Sequence, residues 1–159
     1  MRINCVPVEY LADQHLRAEW VEMLMLPAYL KRSYKSKNGL VFSSNTKYTL
    51  GVGHARFFYD KVLYCMDRYY DIMIEMQKRG FKTNPSLIFP DYLPSNCFGA
   101  WEPNTDDIHT NLNRIIARIQ VKPNWYSYYG KKISDWPGFY EERIQNYKWK
   151  FNASYIGRK

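Results

Sequence analysis

Apolar side chains recur at intervals of three and four residues in three stretches of the chain, and each stretch predicts a helix with one buried face. The first carries Leu16, Trp20, Met23 and Leu24 and starts near Glu9 or Asp13. The second is the clearest. Phe58, Val62, Cys65, Tyr69, Ile72 and Met76 form one stripe from His54 to about Arg79, and Gly80 stands where a C-terminal cap belongs. A helix of that length would run about 37 Å and form a spine for the domain. The third spans about Thr105–Gln120, capped by Asn104 or Thr105, with Ile108, Leu112, Ile115 and Ile119 as its stripe. Arg114, Arg118 and Lys122 are expected on or beyond its opposite side. A weaker helical pattern with Phe139, Ile144 and Tyr147 follows in the tail.

The segments between these stretches read as irregular. Pro7 prevents a regular helix over residues 1–8, which are left as an N-terminal arm. Pro27 either kinks the first helix or starts a new one. Gly, Asn and Ser punctuate residues 39–53, which read as a loop. Residues 81–104 hold four prolines and form a long loop, held down by Leu87, Ile88, Phe89 and Trp101. The expected fold is mostly α: a compact single-domain bundle of about three main helices, with long irregular loops and the arm. Residues 1–132 form its core and 133–159 a C-terminal extension.

Composition narrows the partners. The 159 residues carry a net charge of +8 with pI near 9.3, which favours polyanions, nucleic acid before an anionic membrane. No apolar run reaches the roughly 20 residues of a membrane span, and no signal-peptide pattern opens the sequence. Cys5, Cys65 and Cys97 are an odd number without metal-site spacing, which points to packed thiols in a reducing compartment. The expected location is cytoplasmic.

Candidate chemistry gathers at the start. His15, Glu19 and Glu22 lie at i, i+4 and i+7, on one helical face of a basic protein. A metal site there would lack further ligands, so no metal or other cofactor is expected. The chain also offers a free α-amine next to Arg2. Lys31, Arg32 and Lys35 crowd one helix end, either as solvated cations or as phosphate contacts. In residues 122–132, Trp125, Tyr126, Tyr128 and Tyr129 lie between Lys122 and the Lys131–Lys132 pair, which suits stacking on bases beside phosphates or an aromatic plug on the core. His54 reads as structural, and Asp60 and Asp67 as solvent-facing or paired with Lys61 and Arg68.

Several colinear motifs resemble the pyrimidine-dimer DNA glycosylase family, the phage endonuclease V type. They are Arg-Ile-Asn at the start, LADQHLRAE at 11–19, GVGHARFFYDK at 51–61, KRGF at 78–81 and PNWYSYYGK at 123–131. The resemblance implies a helical enzyme that bends duplex DNA at a cyclobutane dimer and flips out a base opposite the lesion. It implies cleavage of the 5′ pyrimidine's glycosidic bond by the N-terminal amine, an imine, and strand scission by β-elimination. Carried over by position, the nucleophile falls on Met1 and the essential glutamate on Glu22. Arg2, Gln14, His15, Trp125 and Tyr126 fall on the family's DNA-facing residues. Where the family has an arginine directly before that glutamate and another three residues after it, this chain has Val21 and Met25. Arg17, Lys31 or Arg32 would then compensate, with Lys35, Lys122 and Lys131 as further phosphate contacts. The expected partner is double-stranded damaged DNA, bound by a monomer away from membranes. A glycosylase for another modified base and a non-catalytic damaged-DNA-binding relative are the alternatives.

Overall fold

In the computed structural model, residues 2–156 are described, with side chains described through residue 146. Helix α1 spans Asp13–Met23, and α2 follows at Leu26–Tyr34. Pro27 starts the new helix: in the first turn its missing N–H would have had no helical acceptor. The α1 residues Leu16 and Met23 and the α2 residues Leu26 and Leu30 are fully buried, each contributing roughly 1.5–3 kcal/mol of apolar burial. Helix α1 packs mainly against the long helix of the second stripe, Val62–Lys78.

That stripe is not one helix. It divides into a four-residue turn of helix, α3 (His54–Phe57), and α4 (Val62–Lys78), which at 17 residues runs about 25 Å rather than 37 Å. The break has a local cause. Lys61 Nζ takes the Phe57 carbonyl at 2.9 Å and pairs with Asp60 at 2.6 Å, while Gly99 N–H takes the Asp60 carbonyl at 3.1 Å. Both carbonyls would have accepted helical bonds in a continuous helix. Only glycine allows the second contact, since a Cβ at position 99 would lie 2.3 Å from the Asp60 oxygen. At the far end, Gly80 (φ 77°) closes α4 as expected. Gly80 N–H bonds the Gln77 carbonyl and Phe81 N–H the Met76 carbonyl, the paired bonds of a Schellman cap.

Helix α5 spans Thr105–Val121 and begins with a capping box, Asn104 accepting from Asp107 N–H and Asp107 accepting from Asn104 N–H. Its stripe is buried as the periodicity requires. The 81–104 loop is pinned by Leu87, Phe89 and Trp101, whereas Ile88 is three-quarters exposed and holds nothing down. The tail forms a long helix, α6 (Trp136–Ile156), which buries Trp136 and Tyr140 against the rest of the core. Tyr147 lies outside the residues whose side chains are described. No strand ladder forms among the described residues, only two isolated bridges. No described helix is long and apolar enough to cross a membrane.

The arm is therefore buried without a sheet to pair with. Ile3, Asn4, Cys5 and Val6 are all buried, and their peptide groups must find partners among side chains. The central partner is Glu19. Its Oε1 accepts from Asn4 N–H (2.9 Å) and Arg68 Nε (3.0 Å), and its Oε2 accepts from Asn4 Nδ2 (2.6 Å) and an Arg68 terminal nitrogen (3.1 Å). Burial works against the Arg68 charge, but the Glu19 carboxylate outweighs it and holds the guanidinium above its ordinary range. Arg68 thus pairs with Glu19 rather than with the neighbouring Asp67, which is exposed.

Removing either partner leaves a buried charge uncompensated. Glu19→Gln and Arg68→Met are each expected to lower unfolding free energy by about 3–5 kcal/mol in urea titrations. The double variant is expected to lose less than the sum by about 1–3 kcal/mol. Strict additivity would show that the pair is not the coupled unit described.

Candidate active site

The clamp on the arm fixes its register residue by residue. Ile3 N–H donates to His54 Nε2 (2.8 Å), and the Tyr48 hydroxyl donates to the Ile3 carbonyl (2.7 Å). Tyr64 donates to the Asn4 carbonyl, and Asn111 Oδ1 accepts from both Cys5 and Val6 N–H at 2.7 and 3.1 Å. Arg68 donates to the Val6 carbonyl at 2.6 Å. The Asn4 side chain joins arm to helices: its Oδ1 accepts from Asn111 Nδ2 and from Arg114, while its Nδ2 binds Glu19.

Beside this clamp lies a narrow cleft lined by Arg2, Asn4, His15, Ala18, Arg114 and Arg118, with about 20 Å³ of free space, enough for one water. It adjoins a wider groove of about 280 Å³ that shares Arg2 and Arg118 and adds Lys122, Trp125 and Tyr126. Cations and aromatic faces alternate along the pair, as binding of phosphates and stacked bases requires. The rings of His15 and Tyr126 meet at 4.7 Å, and Trp125 stands edge-on to Tyr126 at 5.0 Å. Trp125 is 59% exposed while Tyr126 is buried, so one ring of the pair faces solvent and the other closes the core.

Two polar atoms on this face of α1 have no partner among the described residues: His15 Nδ1 and Glu22 Oε2, both buried. Buried polar atoms are almost always satisfied; among the described residues Trp136 Nε1 and Tyr140 Oη also lack a partner, and the two on α1 are set apart by sharing one helical face. Burial, aided by Arg114, Arg2 and Arg118, lowers the His15 pKa to about 4, and the ring is neutral at pH 7. It therefore offers an acceptor lone pair in a positively charged cleft. Glu19, three residues before Glu22, has all its lone pairs engaged and cannot share that role.

The aromatic segment is anchored separately. Asp13 accepts from Ser127 Oγ, from the N–H groups of Tyr129 and Gly130, and from Arg79. Burial opposes its charge, but the Gly130 N–H, Ser127 and Arg79 outweigh it and hold the carboxyl below its ordinary value. The Gln14 amide bonds Ser127 with both ends, at 3.1 and 3.0 Å, so Gln14 fixes the turn that presents Tyr126 to His15. Arg79 lies under Tyr128 and Tyr129, its carbon 4.9 and 4.6 Å from their ring centres.

The sequence-derived candidates are thus only partly gathered. Arg2, His15, Lys122, Trp125 and Tyr126 line the cleft and groove, whereas Glu22, two turns after His15 on α1, lines neither. Arg17 stacks over Phe81 at 5.5 Å, on a different face of α1. Lys31, Arg32 and Lys35 are exposed at the end of α2, with Arg32 over Tyr29. Lys131 is exposed, its backbone paired with Tyr128. Met1 lies outside the described residues. Arg114 and Arg118, assigned to the far side of α5, instead line the cleft: with Asn111 they occupy i, i+3 and i+7, flanking the apolar stripe. Sequence reasoning also missed Asn4, Tyr48, Tyr64 and Asn111. The available signal was polar residues placed inside apolar stripes, as Asn111 is between Ile108 and Leu112. Among the described residues no three His, Cys, Asp or Glu side chains could together hold a metal ion.

A model of the pyrimidine dimer DNA glycosylase family matches residues 1–89, and the chain belongs to that family. The matched part contains the arm, α1, His54 and Arg68, while the arginines of α5 and the aromatic segment lie beyond it. The protein is accordingly a DNA repair glycosylase with DNA as its substrate.

His15 and His54 are expected to make the fold acid-sensitive. Burial lowers both to about 4, below the unfolded value of about 6.5, so the unfolded chain binds more protons between those values. Stability is complete above about pH 6.5 and falls by about 1.4 kcal/mol per histidine per pH unit as pH drops toward 4. Ring resonances followed by NMR check this directly. Midpoints near 6.5 for both rings would contradict it.

Proposed function

We propose that this glycosylase excises the 5′ base of a cyclobutane pyrimidine dimer using the α-amine of Met1 and then breaks the strand as an AP lyase. The observation that supports the reading is a pair of buried polar atoms on one face of α1 without a partner among the described residues, His15 Nδ1 in a cleft lined by three arginines and Glu22 Oε2 two turns further on. Ile3 N is held by the clamp, and an atom two residues upstream of it has a reach of no more than about 7 Å, which supports a role for the amine near this cleft.

In the proposed reaction the amine nitrogen bonds to C1′ as the glycosidic bond breaks and the base leaves with a proton. Ring opening yields an imine, and loss of a C2′ proton expels the 3′ phosphate. Glu22 carries two tasks: it stabilises positive charge on the sugar as the base departs, and it relays protons in imine formation and elimination. Arg2, Arg114 and Arg118 hold phosphates and, as cations, favour the unprotonated amine. Neutral His15 accepts a hydrogen bond from the 4′ hydroxyl freed when the sugar ring opens, or from the amine itself. Trp125, more than half exposed, stacks on a displaced base. Bending the duplex is least costly where stacking is already damaged, which gives lesion selectivity.

One observation favours a second reading of the substrate. Val21 and Met25, which flank Glu22 in sequence, are 51% and 43% exposed, so an apolar rather than cationic rim borders the carboxylate. A modified base other than the dimer is the reading this rim favours.

Borohydride trapping tests the mechanism. With UV-irradiated and abasic-site duplexes, a covalent adduct mapping to Met1 is expected, and Glu22→Gln is expected to slow its formation by about 10²–10⁴-fold. Intact mass must show Met1 retained. If neither duplex is trapped or nicked, amine chemistry on these substrates is wrong, and a preference for the abasic over the irradiated duplex supports the second reading.

A further inference from the structure

Among the buried titratable groups that the proposed mechanism does not use is a histidine that holds the arm. His54 opens α3, immediately after a glycine-rich turn, and is 3% exposed. Its ring is packed edge-on against Tyr48 at 5.5 Å and Phe58 at 5.3 Å. Its two nitrogens have opposite duties. Nδ1 lies 2.6 Å from the Thr49 carbonyl and must donate, so Nε2 is the acceptor for Ile3 N–H at 2.8 Å. On the other side of that residue the Tyr48 hydroxyl, itself buried, donates to the Ile3 carbonyl at 2.7 Å. Ile3 is thereby gripped through both its N–H and its C=O by two aromatic side chains that pack on each other. No other arm residue has a ring on each side of its backbone among the described residues.

We propose that His54 and Tyr48 are positioning residues for the N-terminal nucleophile: by holding both polar backbone groups of Ile3 they fix where the amine two residues upstream can reach. The inference rests on the amine mechanism proposed above. Neither side chain lines the cleft, so neither touches the reacting atoms, and both act through the arm. Loss of one grip lets the first residues swing, and a misplacement of about 1 Å at a reacting atom costs on the order of 100-fold in rate. A fold-only role for the pair would instead weaken DNA binding and every chemical step together. The geometry separates these outcomes because the clamp acts before the covalent bond exists. Once amine and C1′ are joined, the bond itself holds the nitrogen in place.

The test uses the full chain and an abasic-site duplex, where amine addition to the C1′ aldehyde releases water as the imine forms and borohydride reduces that imine to a stable adduct. His54→Phe keeps the ring volume without the acceptor, His54→Gln returns an acceptor near the Nε2 position, and Tyr48→Phe removes one hydroxyl. Imine formation by His54→Phe and Tyr48→Phe is expected to slow about 10- to 100-fold. The Kd for a tetrahydrofuran-site duplex, which cannot form an imine, is expected to stay within about threefold of wild type, as is the rate of elimination after the imine forms. His54→Gln is expected to regain most of the loss. If His54→Phe does not fold, Tyr48→Phe and His54→Gln carry the comparison. Wild-type rates of imine formation in the folded variants overturn the proposal, and so does an equal loss in binding and in both steps. Failure of the wild-type protein to trap either duplex overturns the amine mechanism itself and the positioning role with it.

Discussion

The constraint on which the structure depends is the need to satisfy a buried extended peptide in a protein without a sheet. An arm in a β-protein would pair with a neighbouring strand; here four consecutive buried residues have only side chains to turn to. A single carboxylate solves the hardest part. Glu19 takes four donors from two residues, joining the arm to α1 and α4 at one point. A neutral amide could not accept from all four, because one of its two ends is itself a donor. The charge is needed for its lone pairs as much as for its attraction to Arg68. A clamp made of individually placed side chains also admits only one register, since a shift of one residue would misalign every bond at once.

This dependence explains what was legible in the sequence. Helix existence followed from apolar periodicity, and the ends of α4 and α5 followed from Gly80 and Asn104, because those signals are local. The break between α3 and α4 was not legible. The stripe continues through Phe58, and the groups that interrupt the helix include Gly99, nearly forty residues away in sequence. The same limit hid most of the site. His15 and Glu22 share a face of one helix and could be paired by spacing alone. The contributions of Asn4, Tyr48, Asn111 and Arg114 exist only after the arm has been laid between α4 and α5. Arg114 and Arg118 were set on the wrong side because a helix bordering an active cleft has three faces to account for, apolar, solvent and cleft, and periodicity distinguishes only two.

Electrostatics gives the cleft its character. Arg2, Arg114 and Arg118 converge on a space barely large enough for water, and the one histidine among them is neutral because burial and those three cations oppose its protonation. Such a field attracts phosphate and lowers the proton affinity of any amine held within it. Both effects serve the proposed chemistry with no group other than the protein's own. The price is mutual repulsion among the guanidiniums, relieved in part by the Asn4 oxygen that accepts from Arg114. The arm therefore does more than lead to the cleft: it supplies a dipole that helps keep the cations together.

The contrast between Glu19 and Glu22 carries the functional reading furthest. They are the same residue type, three positions apart on one helix and on one face. One has every lone pair engaged by protein donors, and the other has a buried oxygen with no partner among the described residues. Leaving a buried carboxylate oxygen unpaired costs stability that selection for folding alone would recover with a nearby serine or asparagine. Val21 and Met25 supply no such donor, and His15, the polar residue two turns away, leaves its own Nδ1 open as well. Two deficits on the same helical face as a fully satisfied network are hard to reconcile with a helix built only to be stable. In the proposed reaction those hydrogen bonds would come from the sugar and from the amine that attacks it.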